Sequence, residues 1–215
     1  MRKKLIIFPF GGNGREAAAQ ITSSAALKEE WELVGFVDDD PAARGKEACG
    51  VTVLGNTNIL KEYPEAKILA VPGNPGNYLK RRDVIEGLDL KKDRFARVLA
   101  PSAVISPDAK IGYNTLLLAN VVVGCGATIG NHCIILPNTT LGHDSVIEDY
   151  CCIGANVAVS GYVTIRSGCY IGSGSAIRER VTIRERALVG IGSNVISDIE
   201  KEVIVAGNPA KLLRH

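Results

Sequence analysis

The sequence predicts an α/β N-terminal domain in βαβ order followed by a parallel β-helix, and three observations lead there. From Ala103 to Asp198 the chain divides into sixteen consecutive six-residue units with Ile, Leu or Val at the third position of each. Residues 4–9, LIIFPF, form a short apolar run that leads into Gly11-Gly12-Asn13-Gly14. A second apolar run, WELVGFV, ends in Asp38-Asp39-Asp40 before Pro41.

The repeat carries most of the information. A strict period of six suits neither an amphipathic helix nor a simple alternating strand. It suits a solenoid of short strands with a corner after every unit. Three units close one triangular coil of 18 residues, so positions 18 apart stack at the inter-strand spacing of ~4.8 Å. The third-position aliphatic fills the prism. The first position, always Ala, Ser, Thr, Cys or Val, fits beside it, and the glycine that recurs at position four serves the turn. Of six cysteines, Cys133, Cys151 and Cys169 stand 18 apart at position one. They read as an inward column of small apolar groups, and no CxxC pair suggests a metal or redox site.

In the first hundred residues, LIIFPF reads as a buried strand, the glycine run as a turn, and Arg15 to Thr22 as a helix. WELVGFV gives a second strand, and KILAVPGN a third that ends at Gly73-Asn74. Strand, glycine turn, helix and an acid-tipped strand make a βαβ nucleotide-binding arrangement. Its glycines admit a diphosphate at the helix N-terminus, and Asp38 or Asp39 can accept from a ribose or a base. Two plainer readings stay open: the glycines only make a tight turn, and the acidic triplet is a solvated loop. The expected division is residues 1–87 for this domain, 88–102 for a connector, 103–198 for the β-helix and 199–215 for a tail.

Composition narrows the class. The 215 residues are 46% hydrophobic but only 5% aromatic, so the core is built from Val, Ile, Leu and Ala. A net charge of +2 does not indicate nucleic acid or an acidic membrane surface as a partner. The start MRKKLIIFPFGG has an apolar stretch shorter than the roughly 7–15 residues of a secretory core. No run approaches the ~18–20 residues of a membrane span, so a cytoplasmic protein is expected.

Taken with the glycine turn, VDDDP, AVPGN and the tail VIVAGNPAKLLRH, the repeat resembles the bacterial hexapeptide-repeat nucleotide-sugar N-acetyltransferases. That family includes enzymes of bacillosamine synthesis, GDP-perosamine N-acetyltransferases and relatives grouped with sialic acid O-acetyltransferases. The resemblance implies a left-handed β-helix, a homotrimer, acetyl-CoA as co-substrate, a nucleotide-linked amino sugar as acceptor and no metal. It implies substrate contacts at Gly12, Asn13, Gly14, Arg15, Asp38, Asp39, Gly73, Asn74 and Asn138. Arg15 stands where many relatives carry a histidine. Acetyl-CoA is implied at Cys152, Gly161, Gly172, Ser173, Gly190, Ile191, Pro209 and Lys211, with Cys152 replacing a family histidine. O-acetylation of a sugar, or a non-catalytic trimeric scaffold, are the alternatives. Zinc chemistry on a similar helix needs three histidines, and the repeat holds only His132 and His143.

By the same resemblance His143, which follows Asn138-Thr139 at a shorter spacing than in the family, is the general base, and Asp144 orients its ring. An imidazole titrating near neutrality suits that task. Independently, position five of the unit TTLGHD should point outward, with Cys125 and Gly161 in the same column 18 residues to either side. A glycine beside the ring leaves room for a pantetheine arm. A hydrogen bonder at a subunit interface is the plainer reading of His143. His132 is expected to be an exposed turn residue. Glu148, Arg166 and Arg184, also 18 apart, read either as a phosphate-binding column or as a solvated face laced with Glu–Arg pairs.

Overall fold

The structure, a computed structural model, describes residues 2–213; His215 lies outside them. The N-terminal domain runs β1 (Lys3–Phe8), α1 (Gly12–Ser23), α2 (Ala25–Glu30), β2 (Trp31–Val37), β3 (Glu47–Ala48), β4 (Val51–Gly55), β5 (Lys67–Ala70) and α3 (Arg81–Glu86). Its sheet has the order β3-β4-β2-β1-β5, parallel except for the β3–β4 hairpin. That hairpin turns at Cys49-Gly50, both at positive φ (55° and 73°), as a two-residue hairpin loop requires.

Helix α1 begins inside the glycine run rather than after it. Its first turn lies directly on the end of β1, because a Cβ on Gly14 would collide with the Pro9 carbonyl and crowd Ile7. Only a glycine permits that approach. No helix among the described residues is long and apolar enough to cross a membrane.

The remainder is a three-faced parallel solenoid. All sixteen units place a two-residue strand at positions two and three. From Val104–Ile105 to Ala176–Ile177 each pairs with the strand 18 residues on, as in Val122↔Thr140 and Thr140↔Ala158. Pairing also reaches outside the sixteen units: Val98–Leu99 pairs with Leu116–Leu117, and Leu188–Val189 with Ile204–Val205. The first face carries Val98, Leu116, Ile134, Cys152, Tyr170 and Leu188, the second Val104, Val122, Thr140, Ala158, Ala176 and Asn194, the third Lys110 through Thr182.

Each position of the unit has a physical reason. Third-position side chains from Leu117 to Val195 are buried in one continuous core. First-position side chains bridge coils: Thr115, Thr139 and Ser175 donate to the position-four carbonyl fifteen residues on. The cysteine column does the same, Cys133, Cys151 and Cys169 reaching the carbonyls of Glu148, Arg166 and Arg184 at 3.0–3.1 Å. Burial pushes the Cys133 and Cys151 thiols up, which suits packing and not reactivity.

Position-four glycine does not serve the turn as expected. It is needed because the next coil's backbone passes close: a Cβ on Gly142 would lie 2.6 Å from the Gly161 nitrogen, and on Gly154 2.5 Å from that of Ser173. The turn is made at position six, which sits in the left-handed region from Asn114 through Gly192. Asn, Asp and Gly tolerate that conformation best.

The first face is covered by the N-terminal domain. Leu116, Ile134 and Cys152 share one apolar cluster with Leu5, Ile7, Ala17, Ile21 and Leu69. At its margin the Asn114 amide pairs with both backbone groups of Ala70, accepting from its N–H at 2.7 Å and donating to its carbonyl at 2.9 Å.

His132 is buried there, 4% exposed, which corrects the expectation of an exposed turn residue. At position six its side chain projects along the rung into the domain junction. It stacks on Tyr150 (4.6 Å, 5°) and meets Phe95 and Tyr113 edge-on. Its Nδ1 accepts from the Asn114 amide at 2.8 Å. Burial, with Arg81 nearby, lowers its pKa from 6.5 to about 4.

A proton accepted by the unfolded imidazole is therefore refused by the folded one. Stability from this site is complete above pH 6.5 and is lost as pH falls toward 4, by about 3 kcal/mol in all. Urea midpoints of wild type and His132→Asn at pH 7 and 4.5 check this, and equal pH dependence in the two would refute it.

Candidate active site

His143 stands at the corner after Thr140–Leu141 on the second face, its side chain half exposed. Asp144 follows at φ 56°, the position-six conformation, and that bend swings its carboxylate back toward the ring. The Nδ1–Oδ2 distance is 3.0 Å. With a carboxylate on Nδ1, the ring proton belongs there, and Nε2 presents its lone pair.

The imidazole leans over Gly161, one coil further on. A Cβ on Gly161 would lie 2.6 Å from Nε2 and 2.7 Å from Cε1, so glycine is required where the ring rests. Tyr162 closes one side, edge-on at 5.0 Å and 90°, and the Arg180 guanidinium covers the tyrosine ring at 4.5 Å. Sequence reasoning passed over Tyr162 and Arg180. The signal was available: with Asp144 they form the position-six column 144, 162, 180.

The remaining expected residues fall into groups. Asn138, Gly172, Ser173, Gly190 and Ile191 line the corner between the first and second faces, at the other edge of the second face from His143. Asn138 accepts there from the Asn120 amide at 3.1 Å. Pro209 and Lys211 are exposed on the tail, which folds back on the last coil through Ala210 N–H to the Asn194 carbonyl. Within one chain, then, His143 and Gly161 are not brought together with the other expected acetyl-CoA residues.

Cys152 does not reach the outer surface at all. Position two of the first face points into the domain junction, so this residue is buried, 5% exposed. Its sulfur lies under Gly73, and burial raises its thiol pKa. A direct contact with acetyl-CoA is corrected to a packing role.

In the N-terminal domain, Gly12 is open, with nothing within 4 Å of where a Cβ would lie, and Arg15 is exposed beside it with its guanidinium over Phe10. Helix α1 has neither a side-chain cap nor an acidic residue in its first turn, leaving its first amides for an anion. Asn13 instead ties loops, donating to the carbonyls of Val71 and Gly73. Asp38 accepts from Phe10 N–H and Asp40 N–H, and Asp39 from the Thr57 backbone and hydroxyl. The acidic triplet braces the loops around the strand ends. Asn74 likewise accepts from Gly76 N–H within its own turn.

The Glu–Arg column is a laced face. Arg166 pairs with Glu148 at 2.5 Å and Arg184 with Glu200 at 3.4 Å. Among the described residues no cluster of three His, Cys, Asp or Glu is placed to hold a metal ion.

The chain is similar over its whole length to solved structures. A perosamine N-acetyltransferase from Caulobacter crescentus, a histidine-to-asparagine mutant in complex with CoA and GDP-perosamine, is 25% identical with a TM-score of 0.83, covering 100% of this chain and 98% of that one. The acetyltransferase domain of PglB from Neisseria gonorrhoeae is 28% identical with a TM-score of 0.85, covering 99% and 100%. WeeI from Acinetobacter baumannii, 22% identical with a TM-score of 0.75 over 99% and 100%, shares the fold. No curated protein sequence matches the chain. The solenoid itself, residues 96–205 and just over half of the chain, matches the family model described as the GMPPB C-terminal domain, and the chain belongs to that family.

Proposed function

We propose that the protein transfers the acetyl group of acetyl-CoA to the amine of a nucleotide-linked amino sugar, with His143 as general base. It is an acetyltransferase built on a hexapeptide repeat, and two neighbours of matching length are acetyltransferases, one solved with CoA and GDP-perosamine and the other with acetyl coenzyme A. The observation that carries the base assignment is the exposed imidazole with Asp144 on Nδ1 and Nε2 over a bare glycine.

Acetyl-CoA supplies the activated thioester. Nε2 of His143 takes the proton from the acceptor nitrogen as the C–N bond forms, and returns it to the sulfur as the C–S bond breaks. Asp144 favours the imidazolium formed between these steps. The open glycine turn and the uncapped N-terminus of α1 receive the diphosphate of the acceptor.

Two separated corners on one prism become one groove when a second copy lies alongside, and the second face is bare. Val104 is 65% exposed and Val122 38%, and below them Thr140, Ala158 and Ala176 leave the face flat. A trimer would thus place His143 and Gly161 of one copy opposite the Gly172–Ile191 corner of another.

Thiol release from acetyl-CoA is measured against UDP-, GDP- and dTDP-linked 4-amino sugars and their 4-hydroxy counterparts, with sedimentation on the same preparation. Release with an amino acceptor by a three-chain species is expected. Release only with hydroxyl acceptors would make it an O-acetyltransferase. No release from any acceptor would leave a scaffold.

A further inference from the structure

Arg81 leads the fully buried side chains by volume, at 1% exposed, and nothing described above employs it in the reaction. Nε donates to the Pro72 carbonyl and Nη1 to the His132 carbonyl, while Nη2 has no partner. Among the described residues no carboxylate is within ion-pair distance of it. An unpaired buried cation is costly, and a neutral amide could serve one carbonyl without that cost. What the guanidinium adds is a rigid planar fork able to hold two acceptors at once. Here they belong to different domains.

Pro72 opens the loop that carries Gly73 and Asn74, and Asn13 of the glycine turn is bonded to the same loop at 2.9 Å. The loop rests on the solenoid: a Cβ on Gly73 would lie 2.8 Å from the Cys152 sulfur and 3.2 Å from Arg81 Nε. Cys152 is the second residue of the coil 151–168, and nine residues later that coil presents Gly161 beneath the His143 imidazole. One coil therefore sets the height of the acceptor loop and of the base. In a symmetric trimer that height is common to every copy.

We propose that Arg81 is a positioning residue for acetyl transfer, holding the loop Pro72–Asn74 in register with the coil that supports His143. This rests on the nucleotide-sugar reading above. The test uses Arg81→Met, and Arg81→Lys, which keeps charge and stem but not the fork and guards against failure to fold. In both, KM for the nucleotide amino sugar is expected to rise about tenfold with KM for acetyl-CoA unchanged. An amino sugar lacking the nucleotide should be acetylated at the wild-type rate.

Amide exchange at residues 71–77, measured without substrate, should accelerate about tenfold while the strand Thr140–Leu141 stays protected. Unchanged exchange at 71–77 in both variants, or an equal rise of both KM values, overturns the proposal. Failure of the wild-type protein to acetylate any nucleotide amino sugar overturns the proposed function alone, because the exchange measurement still decides on Arg81.

Discussion

His143→Ala is expected to lower kcat by roughly two to four orders of magnitude, the range a positioned general base supplies. Its melting temperature should barely move. The side chain is 53% exposed and lies against Asp144, Tyr162 and the surface of Gly161, and such surface replacements change stability by about 0.5 kcal/mol or less. KM for both substrates should hold, since no binding contact is assigned to the ring. Steady-state rates of thiol release with a nucleotide amino sugar decide the matter. An unaltered kcat in a folded His143→Ala protein would remove the imidazole from the chemistry.

Gly161→Ala should cost nearly as much activity without removing a polar group. The added methyl would occupy the space 2.6 Å from Nε2 and 2.7 Å from Cε1, so the ring must swing aside. That motion is cheap for the fold, because the obstacle is the free end of an exposed side chain, and Gly161 is not among the residues in the left-handed region. It is expensive for catalysis, because displacing a reacting group by about 1 Å can cost roughly 10²-fold. The expected result is a normal thermal transition and kcat reduced about 10²-fold. Wild-type turnover would show that the imidazole can work from elsewhere, and the account of the glycine would be wrong.

The solenoid was almost wholly legible because its geometry is a counting rule. A third-position aliphatic in sixteen units leaves no other period, and the observed register of 18 follows from it. What escaped was the division of labour inside the unit, since close approach at position four and the left-handed turn at position six both favour glycine. The asymmetry among faces was also present but unread. Position two is Leu116, Ile134, Cys152, Tyr170 and Leu188 on one face, and Lys110, Thr128, Val146, Thr164 and Thr182 on another. An apolar residue at every third unit marks where a domain docks, and it foretells the burial of Cys152.

For the site, His143 beside Gly161 could be read from position and column, while Asp144 as the partner of the ring came from the resemblance. Tyr162 and Arg180 needed the side-chain directions that position six imposes. In the N-terminal domain the residue types read as a nucleotide site, yet Asp38, Asp39 and Asn13 hold loops in place. Carboxylates and amides look the same in sequence whether their partner is a backbone N–H or a ligand.

The coil 151–168 acts as a gauge block. Its thickness is set by backbone ladders and by carbonyls captured from position one, so it cannot be thinned or padded by exchanging side chains. A bulkier or smaller acceptor must be met by reshaping the loops above, with the distance to the base left as it is. Under the proposed function, divergence in what is acetylated proceeds in the N-terminal domain while the solenoid stays unchanged.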